Sequence, residues 1–338
     1  MDTPALSSPQ ISCAVESWPV AGTFRISRST IDEIFVVKVT ITDGPHQGFG
    51  ECRPYARYDE TPQSVTAQIE SLISNAATLT AQTLQGRLPA GAARNAVDCA
   101  LWDLAVQKTK ISISSLLNLP EPKPCRTAFT LSIDSPINMQ KAALNASKHS
   151  LLKIKIGDMS GLEACLAVMH VRPDAELIID ANEALSIEDA KSFTQALETY
   201  PVVMIEQPIP AGLTLPARDA ASLPVICADE SLHTSADLAA LWDQGYRAVN
   251  VKLDKTGGLT EAVNLLTQAR KMGFVVMLGC MVGTSLAMAP AMYLNAFADI
   301  IDLDGALLLA KDREHKIIYE GDQIMPPPRA LWGQSRNR

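Results

Sequence analysis

The stretch "LLKIKIGD", residues 151–158, has the composition of a strand that lies inside a protein. Its apolar residues are tightly spaced and it stops at a glycine, as buried strands bounded by turns do. It also carries Lys153 and Lys155, whose side chains point to the same face, roughly 6 to 7 Å apart, because side chains alternate along a strand. A buried ammonium group is costly unless something pairs or uses it. We therefore expect this face of the strand to line a polar site.

Runs of this kind recur at regular intervals through the rest of the chain. They are rich in Val, Ile and Leu, and they begin at Thr127, Leu151, Glu176, Val202, Pro224, Ala248, Val275 and Ala298. The segments between them, such as "SIEDAKSFTQALETY", have apolar residues three and four positions apart, which is typical of amphipathic helices. Strands that alternate with helices about every 25 residues indicate a parallel sheet, and eight of them predict a closed α/β barrel of the (β/α)8 type.

The chain before residue 125 predicts a different architecture. The segment "FVVKVTITDG" alternates like a strand, whereas "PQSVTAQIESLISNAATL" and "AGAARNAVDCALWDLAVQKT" have helical spacing. We expect an α+β domain over residues 1–122, joined by the proline-rich "LPEPKPC" to a barrel domain over residues 123–310. The tail, residues 311–338, is too short to fold alone, so we expect it to complete the first domain.

Composition limits the classes of function. The 338 residues are 47% hydrophobic and carry a formal net charge of -8 with scattered basic residues, which argues against nucleic acid and anionic membranes as partners. The seven cysteines are widely spaced and include no C-x-x-C pair, as in a reduced, cytoplasmic protein, and "MDTPALSSPQ" does not resemble an export signal. The uncharged segment between Lys271 and Asp299 is divided by glycines and Pro290 into a strand and a helix, which argues against a membrane span. A small-molecule partner is therefore expected.

Single acidic residues close three consecutive apolar runs. They are Asp180 in "IIDAN", Glu206 in "MIEQP" and Asp229 in "CADES". Because the carboxyl ends of barrel strands form the active-site rim, the three carboxylates are expected to meet there, where a cation would relieve their repulsion. An all-oxygen ligand set favours Mg²⁺ over zinc. Taken singly, each acid has a second interpretation as a helix N-cap or as part of a rim salt bridge.

A third lysine faces the first two across the predicted barrel mouth. Lys252 lies on the sixth strand, in "NVKLDKTGG", and Lys153 and Lys155 lie on the second, so the acidic strands separate them. Near a divalent cation and another ammonium group, a lysine loses its proton more readily and could act as a base. Bases on both faces of a carbon next to a carboxylate would remove and return its proton through an enediolate and invert the stereocentre. The alternative is that Lys153 and Lys155 face outward against helices.

At this point the sequence resembles a known family. The K-x-K strand, the three acids and Lys252 are similar to the enolase superfamily, muconate-lactonizing subgroup, over nearly the whole chain. More narrowly, the segments "AGAARNAVDCALWDLA", "ICADES", "NVKLDKTGGLTEA", "MLGCM" and "DLDG" resemble the dipeptide epimerases. The resemblance implies a modified (β/α)7β TIM barrel with an N-terminal capping domain, Mg²⁺ as cofactor, and Lys155 and Lys252 as the two catalytic bases with Lys153 beside them.

The resemblance also implies how a dipeptide would be held. Asp302 and Asp304, in the D-x-D pair of the eighth strand, would bind its ammonium group, and Met281 and Thr130 would line its site. Specificity would come from two loops of the cap, residues 24–30 and "GECRPYARYDE" from Gly50, with Arg28 gripping the side-chain carboxylate of a glutamate. Here the match is loose, because Ile31 stands where some relatives carry a second basic residue.

Several alternatives remain open on the sequence. Related enediolate chemistry is shared by N-acylamino acid racemase, o-succinylbenzoate synthase and muconate cycloisomerase, none of which needs a D-x-D pair, and Asp302 and Asp304 would then merely cap the exit of the chain from the barrel. A non-enzymatic binding barrel is a further alternative. The seventh strand closes with Gly279, Cys280 and Met281 rather than with a histidine, which argues against the acid-sugar dehydratases of the superfamily. The oligomeric state is open, with a homo-oligomer among the choices.

Overall fold

A three-stranded antiparallel sheet forms the N-terminal part of the computed structural model, which describes residues 2–26, 29–216 and 224–336. Its strands pair in chain order: β1 (Pro9–Ile26), β2 (Ser29–Asp43) and β3 (His46–Cys52). Apolar residues alternate along β2, and Val37, Val39 and Ile41 are therefore fully buried on the face of the sheet that packs on helices. The strand predicted from "FVVKVTITDG" is therefore present.

Four helices cover this sheet and connect it to the rest of the chain. They are α1 (Pro62–Glu70), α2 (Ala81–Leu84), α3 (Ala92–Thr109) and α4 (Ile113–Leu117), with 3₁₀ turns at Ala56–Tyr58 and Ile73–Thr78. The alanine-rich α3 is buried along almost its whole length. It lies directly on β3 because Gly50 has no side chain: a Cβ there would be 2.0 Å from the carbonyl oxygen of Ala96.

The rest of the chain forms an eight-stranded parallel barrel, as predicted. Its strands follow one another around the sheet in chain order: β5 (Phe129–Leu131), β6 (Leu151–Lys155), β7 (Glu176–Asp180), β8 (Val202–Glu206), β9 (Val225–Ala228), β10 (Ala248–Val251), β11 (Val275–Gly279) and β12 (Ile300–Asp302). The backbone N–H of Ala128, just before β5, donates to the carbonyl of Ile301 in β12 at 2.8 Å and brings the two edges together. The carboxyl ends of all eight strands consequently meet at one mouth.

Helices follow the strands on the outside of the barrel. They are α5 (Pro136–Asn145), α6 (Gly161–Val171), α7 (Ile187–Leu197), α8 (Leu238–Asp243), α9 (Leu253–Thr256), α10 (Leu259–Met272) and α11 (Ser285–Met292), with 3₁₀ turns at Ser235–Asp237 and Asn295–Phe297. The uncharged segment divides into β11 and α11 as expected, and no helix in the described part of the chain has the length and apolar character needed to cross a membrane.

The chain ends by returning to both parts of the molecule. Two short strands, β13 (Tyr319–Glu320) and β14 (Gln323–Ile324), pair with β4 (Cys125–Arg126) at the start of the barrel. The last described residues pack on the N-terminal part, where Trp332 Nε1 donates to the carbonyl of Phe49 at 2.9 Å and Arg336 pairs with Asp103 at 2.9 Å. The tail thus contacts both the start of the barrel and the N-terminal part.

Buried polar contacts fix the N-terminal part on the mouth of the barrel. Asp254, in α9, accepts hydrogen bonds from the side chain of Asn95 at 2.9 Å and from the backbone N–H of Arg53 at 3.1 Å. Gly258, in the turn after α9, has a φ of 104°, and a Cβ there would lie 2.5 Å from Asp98 in α3. The loop after β3 and the first half of α3 are thereby held against the end of β10.

Candidate active site

Three buried carboxylates lie at the mouth of the barrel. Asp180 and Glu206 are the last residues of β7 and β8 and pair with each other across the two strands. Asp229 follows β9 by one residue, and Cys227 rather than Asp229 is paired with Glu206. The three acids are therefore on adjacent strands as predicted, but they are not level. Asp229 is held outside the strand pairing because its N–H donates to the side chain of Gln207 at 2.9 Å.

Lys153 points into the barrel and ends among carboxylates. Its Nζ lies 2.6 Å from Glu206, 2.7 Å from Asp302 and 3.1 Å from Asp180, and the residue is 3% exposed. Lys155, two residues along β6, lies 2.5 Å from Asp180 and donates to Oδ1 of Asn182 at 3.0 Å. The alternative that these lysines face outward is therefore wrong.

Lys252 and Lys255 approach Asp229 from the other side. Lys252 follows β10 directly, and its Nζ lies 2.7 Å from Oδ2 of Asp229 and 3.9 Å from Oε1 of Glu206. The fully buried Lys255 lies 2.5 Å from Oδ1 of Asp229 and also donates to the carbonyl of Asn250 at 3.1 Å. The Asn250 side chain in turn donates to Glu206 at 2.7 Å. Both oxygens of Asp229 are thus bound by ammonium groups.

The pKa values of these groups depend on burial and on the neighbouring charges. Burial, together with the negative charge of Asp180, raises the pKa of Glu206 to about 8. Burial also acts to raise the pKa of Asp180 and of Asp229, but the nearby ammonium groups outweigh it and hold both below their usual range. For Lys252, burial acts to lower the pKa, yet the charges of Asp229 and Glu206 raise it well above its usual value. The pKa of Glu206 is therefore raised first by burial and second by the neighbouring negative charge.

This set of residues fits a hard divalent cation. Asp180, Glu206 and Asp229 offer only carboxylate oxygens, which are the ligands that Mg²⁺ prefers, and ammonium groups already occupy the space between them as positive counter-charges. As the side chains stand, no group of three His, Cys, Asp or Glu residues within the described ranges is arranged to hold a metal ion, because Lys153 and Lys252 lie among these oxygens. Binding of a cation there requires these ammonium groups to shift away.

The D-x-D pair at the end of the eighth strand lies beside the same lysine. Asp302 uses one oxygen to bind Lys153, while its other oxygen, Oδ1, is buried without a hydrogen-bond partner among the described residues. Asp304 accepts from the backbone N–H of Thr130 at 2.6 Å. Burial and the neighbouring charge of Asp302 raise the pKa of Asp304 to about 7. An unpaired carboxylate oxygen next to a second acid is suited to receive an ammonium group.

A cleft connects these groups to the cap. Its lining includes the predicted residues Lys153, Lys155, Lys252, Asp229, Asp302, Asp304, Thr130 and Met281. From the loop after β3 come three cavity residues that the sequence did not single out, Arg53, Tyr55 and Tyr58. Their only sequence signal was their place in the segment "GECRPYARYDE". Arg28 lies outside the described residues.

The sequence analysis also did not identify several polar residues that contact the predicted site residues. Asn250, Asn182 and Lys255 all touch a predicted site residue. Asn250 and Lys255 both lie in "NVKLDKTGG", and Asn182 lies in "IIDAN". Their closeness in sequence to a predicted site residue was therefore the available signal. His233 is half-buried and packs edge-on against Tyr58 with the ring centroids 4.8 Å apart.

Both parts of the molecule match known protein families. The family "Mandelate racemase / muconate lactonizing enzyme, N-terminal domain" matches residues 10–118, and "Enolase C-terminal domain-like" matches residues 138–322. The L-Ala-D/L-Glu epimerase of Escherichia coli (strain K12) is 44% identical over 318 residues, covering 91% of this chain and 97% of that protein. The N-acetyl-D-glutamate racemase of a Pseudoalteromonas species is 42% identical over 305 residues, covering 89% and 96%.

Two solved structures also resemble nearly the whole chain. An enolase family member from Agrobacterium tumefaciens with homology to dipeptide epimerases, bound to sodium and L-Ala-L-Glu, superposes with a TM-score of 0.91 at 43% identity and covers 96% of this chain and 100% of its own. The dipeptide epimerase of Enterococcus faecalis V583, complexed with Mg and L-Leu-L-Tyr, has a TM-score of 0.85 at 27% identity and covers 97% and 99%.

Proposed function

Because the chain belongs to the mandelate racemase / muconate lactonizing enzyme family of the enolase superfamily, we propose that it is a Mg²⁺-dependent dipeptide epimerase. It inverts the α-carbon of the C-terminal residue of L-Ala-Xaa dipeptides, with L-Ala-D/L-Glu as the leading substrate. The observation that carries the proposal is the placement of Lys155 and Lys252 on either side of the three acidic strands, both lining one cleft. The reaction class is that of an isomerase.

The two lysines act as opposed bases. Lys155 ends β6 and Lys252 follows β10, and β7, β8 and β9 lie between them in the sheet. A substrate seated over those strands presents one face of its α-carbon to each Nζ. One lysine in its neutral form takes the α-proton and the other, as ammonium, returns a proton to the opposite face, so the configuration inverts.

Three buried carboxylates at the barrel mouth would hold the metal. Asp180, Glu206 and Asp229 are its ligands in this proposal, and bound Mg²⁺ would stabilise the negative charge that develops on the substrate carboxylate as the α-proton leaves. Lys153, displaced from among the metal ligands, would lie beside that carboxylate as a positive charge. Its Nζ lies 2.6 to 3.1 Å from three acids, and this proposal gives it no proton-transfer step.

The two ends of the dipeptide are assigned to opposite sides of the cleft. Asp302 and Asp304 bind the ammonium group of L-Ala, supported by the unpaired Oδ1 of Asp302 and by the position of both acids on the cleft wall. Thr130 and Met281 contact the substrate from the same wall. Arg28 is assigned to the glutamate side chain on the family resemblance alone.

A second candidate is racemisation of an N-acylated amino acid such as N-acetylglutamate. It is favoured by the 42% identity to the N-acetyl-D-glutamate racemase. The pKa of about 7 for Asp304 also allows a protonated, neutral carboxyl to lie against an acyl group. The chemistry at the α-carbon is the same, so the two candidates differ only in what the D-x-D pair binds.

Proton exchange in D₂O tests the reaction and the choice of substrate together. With Mg²⁺ present, we expect deuterium to enter the α-position of the second residue of L-Ala-L-Glu and the D-epimer to appear, as followed by mass spectrometry and NMR. A matched series of N-acetyl-L-glutamate, L-Ala-L-Glu and L-Ala-L-Leu ranks the candidates by kcat/KM. Preference for the acylated amino acid replaces the leading candidate with the second, and absence of exchange in every compound leaves a binding barrel or another enediolate enzyme such as o-succinylbenzoate synthase or muconate cycloisomerase.

Three further expectations belong to this proposal. The first domain comprises residues 1–122 completed by 311–338, and the barrel comprises 123–310, as the contacts of Trp332 and Arg336 with the N-terminal part support. A cytoplasmic location is supported by seven cysteines that are all free thiols. A homo-oligomer is compatible with the chain, and neither nucleic acid nor membrane is assigned as a partner.

A further inference from the structure

Arg53 is the basic residue that the cap contributes to the cleft wall among the described residues. It lies in the loop after β3 and is half-buried. Its backbone N–H is held by Asp254 at 3.1 Å, and its guanidinium makes one long hydrogen bond, from Nη1 to the carbonyl of Val282 at 3.4 Å. These contacts place Arg53 over the ends of β10 and β11, on the Lys252 side of the cleft.

The guanidinium of Arg53 differs from the other cationic groups around the cleft in having no carboxylate partner within the described ranges. Lys153, Lys155 and Lys252 each lie within 2.7 Å of an acid. Arg57, four residues further along the same loop, makes two hydrogen bonds of 2.9 Å to Glu183. A half-buried guanidinium that has no direct carboxylate partner is partly desolvated at a cost, and an anionic ligand removes that cost.

We propose that Arg53 is a specificity-determining residue that binds the side-chain carboxylate of an acidic second residue of the substrate. The inference rests on the proposed function, because that function assigns the other anionic group of the dipeptide, its α-carboxylate, to the metal site and Lys153. The remaining negative charge of L-Ala-Glu is on the side chain. A planar guanidinium is suited to hold such a carboxylate with two parallel hydrogen bonds.

The surroundings of Arg53 favour an acidic side chain over a neutral one. The cap also contributes Ile31, Tyr55 and Tyr58 to this wall, and these provide apolar surface and hydroxyl groups but no positive charge. Among the acids that line the cleft, Asp229 and Asp302 are paired with lysines, and Asp304 accepts from the backbone N–H of Thr130. Arg53 thus defines a positive subsite above Lys252, separate from the D-x-D pair that would receive the ammonium group.

Binding and turnover of two nearly isosteric dipeptides test this assignment. L-Ala-L-Glu and L-Ala-L-Gln differ in the charge of one group, so the ratio of their affinities, measured by calorimetry with Mg²⁺ present, isolates the contribution of a cation. We expect the wild type to favour L-Ala-L-Glu at least about tenfold, and Arg53→Met to reduce that ratio at least about fivefold. Arg53→Lys should restore part of it. Arg57→Met, which removes the partner of Glu183 in the same loop, is the matched control and should leave the ratio within about twofold.

The outcomes separate this inference from the proposed function. Equal affinity of the wild type for both dipeptides, or a ratio unchanged in Arg53→Met, overturns the role of Arg53 whatever the protein catalyses. A selective wild type that loses its selectivity in Arg53→Met supports the role, even when deuterium exchange in the same samples is absent and the epimerase assignment fails. Circular dichroism of each variant confirms that affinities are compared between folded proteins.

Discussion

Lys252 and Asp229 are joined by a hydrogen bond of 2.7 Å from Nζ to Oδ2. One of them is the proposed base on one face of the substrate and the other is a proposed ligand of the metal. The base and the metal site are therefore in direct contact, and a change in the charge of either residue alters the other. In this arrangement Asp229 also neutralises the fully buried Lys255.

Asp229→Asn should lower the affinity for Mg²⁺ and stop turnover. The amide keeps one oxygen for hydrogen bonds but removes the negative charge, so we expect at least about a hundredfold weaker Mg²⁺ binding by calorimetry. Loss of the ionic partner of Lys255 should also lower the melting temperature, because a buried ammonium group is left without a counter-charge. Glu176→Gln, at the other end of β7, is the control and should bind Mg²⁺ normally. Normal Mg²⁺ binding and turnover by Asp229→Asn would show that the metal site is assigned wrongly.

Lys155→Met and Lys252→Met should each stop epimerisation and leave exchange of one enantiomer. Each lysine addresses one face of the α-carbon, so the variant that lacks one base still exchanges the proton that faces the other. We expect epimerisation to fall by about 10²- to 10⁴-fold. Incubation of L-Ala-L-Glu and L-Ala-D-Glu separately in D₂O measures both rates, with the exposed Lys148→Met as control. Epimerisation near the wild-type rate in either variant would refute the two-base mechanism.

The affinity for an unblocked dipeptide should depend on pH through Asp304. Its pKa of about 7 means that the carboxyl is protonated below that value in the free protein. An ammonium group binds the ionised form, so KM should rise as the pH falls below 7, where the ammonium group of the dipeptide itself stays charged. Asp304→Asn should remove this dependence and raise KM throughout. N-acetylation should cost about tenfold or more in kcat/KM in the wild type and much less in Asp304→Asn. A KM that is flat from pH 5.5 to 8 would exclude this role for Asp304.

Arg28→Met should depress activity on acidic dipeptides more than on apolar ones. The family resemblance assigns its guanidinium to the glutamate side chain, and loss of a charge-assisted hydrogen bond costs about tenfold or more. Rates on L-Ala-L-Glu and L-Ala-L-Leu measure the effect. An equal decrease on both substrates would leave the epimerase assignment intact and remove Arg28 from the specificity site. The Arg28→Met/Arg53→Met double variant shows whether the two arginines bind the same carboxylate.

The sequence was sufficient for the barrel and for the acids and lysines at its strand ends, because both are recorded in local patterns. Apolar runs at regular intervals identified all eight strands, and the strict alternation of side chains predicted that Lys153 and Lys155 share one face, on which both reach carboxylates. Contacts between distant segments were not recorded in this way. Nothing local to Arg53 indicates that its backbone binds Asp254, and the offset of Asp229 depends on the side chain of Gln207. Such partners are set by tertiary packing, which a single sequence does not display.

The contacts of the Asp254 carboxylate limit how the specificity of this protein can be changed. It receives hydrogen bonds from Asn95 and from the backbone of Arg53, and it follows Lys252 by two residues. A cap loop exchanged with that of a relative would therefore disturb the segment that carries a proposed base, even if every new side chain suited the new substrate. Side-chain replacements that leave the backbone of residue 53 and the Asn95 contact in place are the safer route. We expect specificity for new substrates to evolve in the same way in this fold. Side chains of the cap loop would change, while the contacts of Asp254 with Asn95 and with the backbone of residue 53 would be retained.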